Sequence, residues 1–98
     1  ASLAYDKALK ANPEFAEASF NLGSLLLRQR KFEQARHRFR QTVAIDSTYA
    51  RAYYALGAVY EEQDSTSAAV HAYQRFLTDW RGDPDTARLV QRKLAALR

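Results

Sequence analysis

The sequence predicts an all-α chain built as a stack of helix pairs. Three observations carry that prediction. The sequence repeats itself at an offset of about 34 residues, its apolar residues recur at helical spacing, and Gly and Pro are too sparse to supply the turns of an all-β fold. Gly23 and Gly57 stand one such offset apart. At the same offset Leu22 matches Leu56, Ala16 matches Ala50, Ala18 matches Ala52 and Phe20 matches Tyr54. Gln29 then matches Gln63, Ala35 matches Ala69, Phe39 matches Tyr73 and Val43 matches Leu77. The pattern extends backwards, with Ala1, Tyr5 and Leu9 standing one offset before Ala35, Phe39 and Val43.

Each unit reads as two helices. Ala18, Leu22, Leu25 and Leu26 form the apolar stripe of a first-type helix, copied by Ala52, Tyr53, Leu56, Val59 and Tyr60. Phe32, Ala35, Phe39 and Val43 form the stripe of a second-type helix, copied by Ala69, Tyr73, Phe76 and Leu77. Asn12 before Pro13 is a helix-start signal, Asp46 can do the same job one repeat later, and Asp83-Pro84 repeats it. Helices are therefore expected over roughly 1–11, 13–30, 33–45, 48–62, 66–80 and 84–97. Two glycines at one phase of a repeat mark a close helix approach, because each costs about 1 kcal/mol against Ala in a helix interior. Ala35 and Ala69 are the expected opposing surface, with Phe39 and Tyr73 beside them.

These residues resemble the tetratricopeptide repeat family, whose pattern is W-x2-L-G-x2-Y…A-x3-F…P. The first full unit supplies Ser19, Leu22, Gly23, Leu26, Ala35 and Phe39. The second supplies Tyr53, Leu56, Gly57, Tyr60, Ala69 and Tyr73. The leading half unit supplies Ala1, Tyr5, Ala8, Leu9 and Pro13. Ser19, Leu26, Thr42, Ser47 and Thr66 depart from the pattern. The resemblance implies a right-handed α-solenoid of antiparallel helix pairs. The expected division is a partial repeat over 1–13, repeats over 16–49 and 50–83, and a capping helix over 84–98, the whole excised from a longer protein. The capping helix has an apolar stripe of Ala87, Val90, Leu94 and Leu97 and a basic face of Arg88, Arg92, Lys93 and Arg98. Its register is open: Gln91 falls at the glycine phase without a gap, whereas aligning Asp83-Pro84 with Asn12-Pro13 needs a three-residue insertion.

The resemblance also implies that first-type helices line a concave face on which a short segment of a partner protein docks. Carried onto this sequence, the groove residues are Glu17, Phe20, Asn21, Ser24, Leu27 and Arg28 in the first unit. In the second they are Arg51, Tyr54, Ala55, Ala58, Glu61 and Glu62, with Arg88 and Arg92 from the last helix. Phe20 and Tyr54 share a phase, and aromatic and Arg residues are enriched in binding hot spots; half-buried packing between helices is the other reading of both. Part of the family grips a C-terminal carboxylate with Lys, Asn and Arg. Asn21 and Arg51 match part of that arrangement, but Ala55 stands where the second cation belongs. The expected function is a protein–protein interaction module. A structural spacer or self-association element, a regulatory appendage of an enzyme, and a nucleic-acid binder stay open, with self-association expected through the N-terminal edge at helix 1–11.

Other signals have bland explanations. The formal charge of +4 suits a partner with acidic groups. Arg28, Arg30, Lys31, Arg36, Arg38 and Arg40 read as a solvated outer surface offset by Glu33, Glu61, Glu62 and Asp64. His37 and His71 read as surface residues too far apart to share a metal. Arg81-Gly82-Asp83 reads as a helix end followed by a cap, and Ser65-Thr66-Ser67 as an interhelix turn with a capping hydroxyl. There is no Cys, and neither a phosphate loop, a His-Glu-x-x-His motif nor a nucleophile elbow occurs. No enzyme activity, metal or cofactor is expected. No apolar run reaches membrane-spanning length and the first residues do not read as a signal peptide, so a soluble chain is expected with its compartment unspecified.

Overall fold

The computed structural model describes residues 13–97. Five helices fill this span: α1 (Pro13–Arg28), α2 (Phe32–Ile45), α3 (Ala50–Glu62), α4 (Thr66–Asp79) and α5 (Pro84–Leu97). No strand occurs among the described residues. The helix expected over 1–11 and the cap expected at Asn12 lie outside them. α1 pairs with α2 and α3 with α4 as helix hairpins. α2 packs on α3, α4 packs on α5, and α1 touches α3 along one edge. The chain is thus an α-solenoid of helix hairpins.

The hairpin turns explain where α1 and α3 end. Arg30 and Asp64 hold the same place in successive repeats, and both have left-handed backbone, with φ of 60° and 58°. After α1, Lys31 N–H donates to Leu26 O at 2.9 Å and Arg30 N–H to Leu27 O at 3.0 Å. After α3, Ser65 N–H donates to Tyr60 O at 2.8 Å and Asp64 N–H to Glu61 O at 3.1 Å. This is the paired bonding of a Schellman turn, which satisfies the last free carbonyls of a helix. It stops α1 at Arg28 rather than at 30. It also corrects the expectation for Ser65, whose hydroxyl makes no capping bond; backbone groups close that turn instead.

Asp46 also differs from expectation. Its carboxylate accepts bonds from Thr48 N–H at 3.0 Å and Thr48 Oγ1 at 2.7 Å, and Tyr49 N–H donates to its carbonyl at 3.1 Å. These bonds hold 46–49 as a turn, so α3 begins at Ala50, two residues later than the spacing predicts, with Tyr49 at its N-cap.

One buried cluster comprises Ala35, Phe39, Ala55, Leu56, Val59 and Ala72; a second comprises Ala69, Tyr73, Phe76, Val90 and Leu94. Tyr53 and Tyr60 pack against both and make the core continuous along the stack. A Cβ on Gly23 would lie 2.7 Å from Phe39 Cε1, and one on Gly57 would lie 2.7 Å from Tyr73 Cδ1 and Cζ. The nearest atoms to each glycine are therefore those of an aromatic ring, Phe39 or Tyr73, while Ala35 and Ala69 are fully buried. Thr42, a departure from the family pattern, is fully buried and donates its hydroxyl to Arg38 O at 3.0 Å, which satisfies it locally.

The stripe expected on α1 is only partly buried. Ala18, Leu22 and Leu25 are exposed, whereas their counterparts Ala52, Leu56 and Val59 are buried. In the second unit that face meets α2 of the preceding hairpin. The residues preceding α1 are 1–12, outside the described part of the chain. No described helix is long and apolar enough to cross a membrane.

Two stability measurements follow. Gly57→Ala gains about 1 kcal/mol of helix propensity, yet drives a methyl into the Tyr73 ring, so the net effect is a loss of about 1–3 kcal/mol in urea unfolding. Arg30→Gly relieves left-handed strain of about 1–2 kcal/mol and gives up an exposed ion pair, a cation–π contact with Phe32 at 5.1 Å and some unfolded-state rigidity. These nearly cancel, so its unfolding free energy should stay within about 0.5 kcal/mol of the parent's.

Candidate functional site

Side chains one turn apart on a helix share a face. On α1 that spacing brings Phe20, Ser24 and Leu27 together, and on α3 it brings Arg51, Tyr54, Ala55 and Ala58 together. All seven line one cavity of about 360 Å³, which Phe76, Trp80 and Thr86 complete. Its wall is almost wholly apolar, and Arg51 is the one charged residue among those lining it.

A chain of rings frames the cavity. Tyr54 meets Tyr73 and Phe76 edge-on, with centroids 5.9 and 5.6 Å apart, and Phe76 stacks on Trp80 at 5.0 Å. On the other side Phe20 packs against Phe39 at 5.7 Å and Tyr49 at 5.2 Å. Such pairs each contribute about 0.5–1.5 kcal/mol beyond area burial, and they hold the rings as walls. Phe20 and Tyr54 therefore both pack between helices, as one reading of them has it, and both also line the cavity.

Arg51 is exposed, and its position is set by aromatic faces. The guanidinium carbon lies 5.3 Å from the Phe20 centroid and 5.4 Å from that of Tyr49, and Nη2 donates to the Tyr49 hydroxyl at 3.3 Å. Cation–π contacts of this kind fix a guanidinium without neutralising it.

The segment after α4 places the remaining wall. Trp80 is extended and donates Nε1–H to Asp83 O at 2.9 Å. A Cβ on Gly82 would overlap the Trp80 indole. Gly82 has no left-handed backbone, and α4 already ends at Asp79. This corrects its expected role: Gly82 leaves space for the indole rather than ending the helix. Asp83 does cap α5, accepting Thr86 N–H at 2.9 Å and Thr86 Oγ1 at 2.8 Å. Those bonds hold its carboxyl below the usual range. Arg81 donates to Thr78 O at 3.0 Å and to Trp80 O at 3.2 Å, so the Arg-Gly-Asp run is accounted for by local structure.

The other expected groove residues stand elsewhere. Glu17, Asn21 and Arg28 are exposed on α1 and do not line the cavity. Glu61 turns towards α4 and α5: it accepts the Tyr73 hydroxyl and lies 3.8 Å from Lys93 Nζ. Burial, then the Glu61 carboxylate, pushes the Tyr73 hydroxyl well above its ordinary value, so it stays a donor. Glu62 faces Arg30 at 3.6 Å, Arg88 pairs with Asp85, and Arg92 is exposed. Ala55 forms part of the apolar wall rather than a cationic position. The partial match of Asn21 and Arg51 is not brought together at the cavity.

The basic residues do not gather there either. Arg36 pairs with Glu33 at 2.5 Å, and Arg38 donates to Gln41 at 3.0 Å. His37 and His71 are exposed. Among the described residues no group of three or more His, Asp or Glu is placed to hold a metal. Phe76, Trp80 and Thr86 were not among the expected lining residues. Phe76 has core phase in the repeat, but the single Trp of the chain one turn beyond it was a usable signal.

A family model described as tetratricopeptide repeat matches residues 21–86, and a second of the same description matches residues 4–37. No curated protein matches the chain.

The cap at Asp83 makes a pH-dependent prediction. A folded carboxyl pKa below the unfolded value adds stability that is complete above the unfolded pKa of about 3.9 and is lost as pH falls through the folded pKa. Asp83→Ala should lower the melting temperature at pH 7. The gap from the parent should narrow as pH falls below the unfolded-state carboxyl pKa of about 3.9 and close once the folded carboxyl is protonated.

Proposed function

The chain belongs to the tetratricopeptide repeat family, a family of protein–protein interaction modules, and from that premise we propose that it docks a short segment of a partner protein in the cavity between α1 and α3. The observation that supports this reading is the apolar cavity itself, walled by rings from α1, α3 and α4 and edged by Arg51. A rigid aromatic surface with a positioned Arg is the composition of an interface hot spot. Docking there needs little reorganisation, because the rings are already held by one another. The module acts by binding, without catalysis of its own.

Ala58→Arg tests this reading. Ala58 is half-buried at the cavity wall, so a long cation there obstructs the site without removing a core side chain. With helix content unchanged by circular dichroism, binding to a captured partner should weaken by at least about tenfold, some 1.4 kcal/mol. Undiminished binding moves the interaction to another face.

A further inference from the structure

We propose that the segment this cavity accepts is acidic and apolar: one large aliphatic or aromatic side chain enters the cavity, and a neighbouring Asp or Glu side chain pairs with Arg51. The inference rests on the docking reading above and adds the chemistry of the occupant. Three features of the wall carry it. First, the lining is almost entirely hydrocarbon, so a polar anchor would lose its hydration without gaining partners. Second, about 360 Å³ lies at the small end of the range for ligand pockets, which suits one anchoring side chain rather than a run of them. Third, the lining has one cation and no carboxylate.

The placement of Arg51 selects the charged group. Stacking beside Phe20 and Tyr49 commits its position, and the Tyr49 hydroxyl takes one of its donors. An arginine has five N–H donors in a planar fork, and a carboxylate accepts two of them side by side. One fork matches one side-chain carboxylate. In the carboxylate-gripping arrangement that the family resemblance implies, a second cation stands one turn along α3; here that place is Ala55, 8% exposed and apolar. The net charge of +4 also favours approach of an acidic segment.

Trp80 is the single tryptophan of the chain and lies in the wall, so its emission reports occupancy directly. The test titrates the full chain with tryptophan-free nonapeptides, acetylated and amidated, carrying a central Leu beside Glu. Controls exchange Glu for Lys, exchange Leu for Ser, or move the carboxylate to a free C-terminus beside Leu. The Leu-Glu peptide should shift Trp80 emission. The Lys version should bind about tenfold more weakly at low salt, and the Ser version should not bind up to about 1 mM. Arg51→Gln should shrink the Glu-over-Lys preference to about twofold or less while the Leu requirement persists.

Equal binding of the Glu and Lys peptides, a preference that survives Arg51→Gln, or tighter binding of the free C-terminus overturns the proposal. So does the lack of any response by fluorescence and calorimetry up to about 1 mM. Ala58→Arg separates the two claims. If it abolishes binding that shows no acidic preference, the docking site stands and the assigned chemistry falls. If binding is unchanged by it, both fall.

Discussion

The close approach of Gly57 to the Tyr73 ring, repeated between Gly23 and Phe39, is the constraint on which the architecture depends. A side chain on either glycine would push the hairpin apart by the thickness of a methyl group. The helical cost of Gly is offset by the packing of a large, fully buried ring against bare backbone. Because the contact recurs at the same phase of the next repeat, both hairpins close alike. The second can then lay α3 against α2 of the first and bury Ala52, Leu56 and Val59.

The cavity is the outer end of the same packing. Tyr73 packs against both Gly57 and Tyr54; Tyr54 leans on Phe76, and Phe76 stacks on Trp80. Rings fixed in this way cannot collapse into the space between them without breaking the core contacts behind. Trp80 in turn depends on Gly82 for room and on Asp83 O for its N–H, while the Asp83 side chain starts α5 and sets Thr86 in the wall. The site is thus shaped from the buried core outward.

Much of this was legible in the sequence because repetition exposes constraint. The equal phases of Gly23 and Gly57 announced the helix pairs, and the family resemblance, not the spacing alone, named Phe20, Ser24, Leu27, Arg51, Tyr54, Ala55 and Ala58, which line one cavity. Three kinds of feature were not legible. The left-handed turn at Arg30 uses a residue with no turn signature, and Asp64, whose type tolerates that conformation, carries only a weak one. Charged side chains reach several partners from one backbone position, so Glu61 and Glu62 have groove phase but turn to Tyr73 and Arg30. Phe76 and Trp80 come from a second-type helix and the segment that follows it, and a rule that assigns the surface to first-type helices omits them.

The central claim is that partner segments meet the protein at the α1–α3 cavity. Site-specific photocrosslinking tests it most directly. A photoreactive amino acid replaces either Ser24, in the cavity wall, or Gln74, exposed on α4 and outside that wall. The account predicts a crosslinked partner from position 24 and none from position 74. Crosslinking from position 74 alone would contradict it.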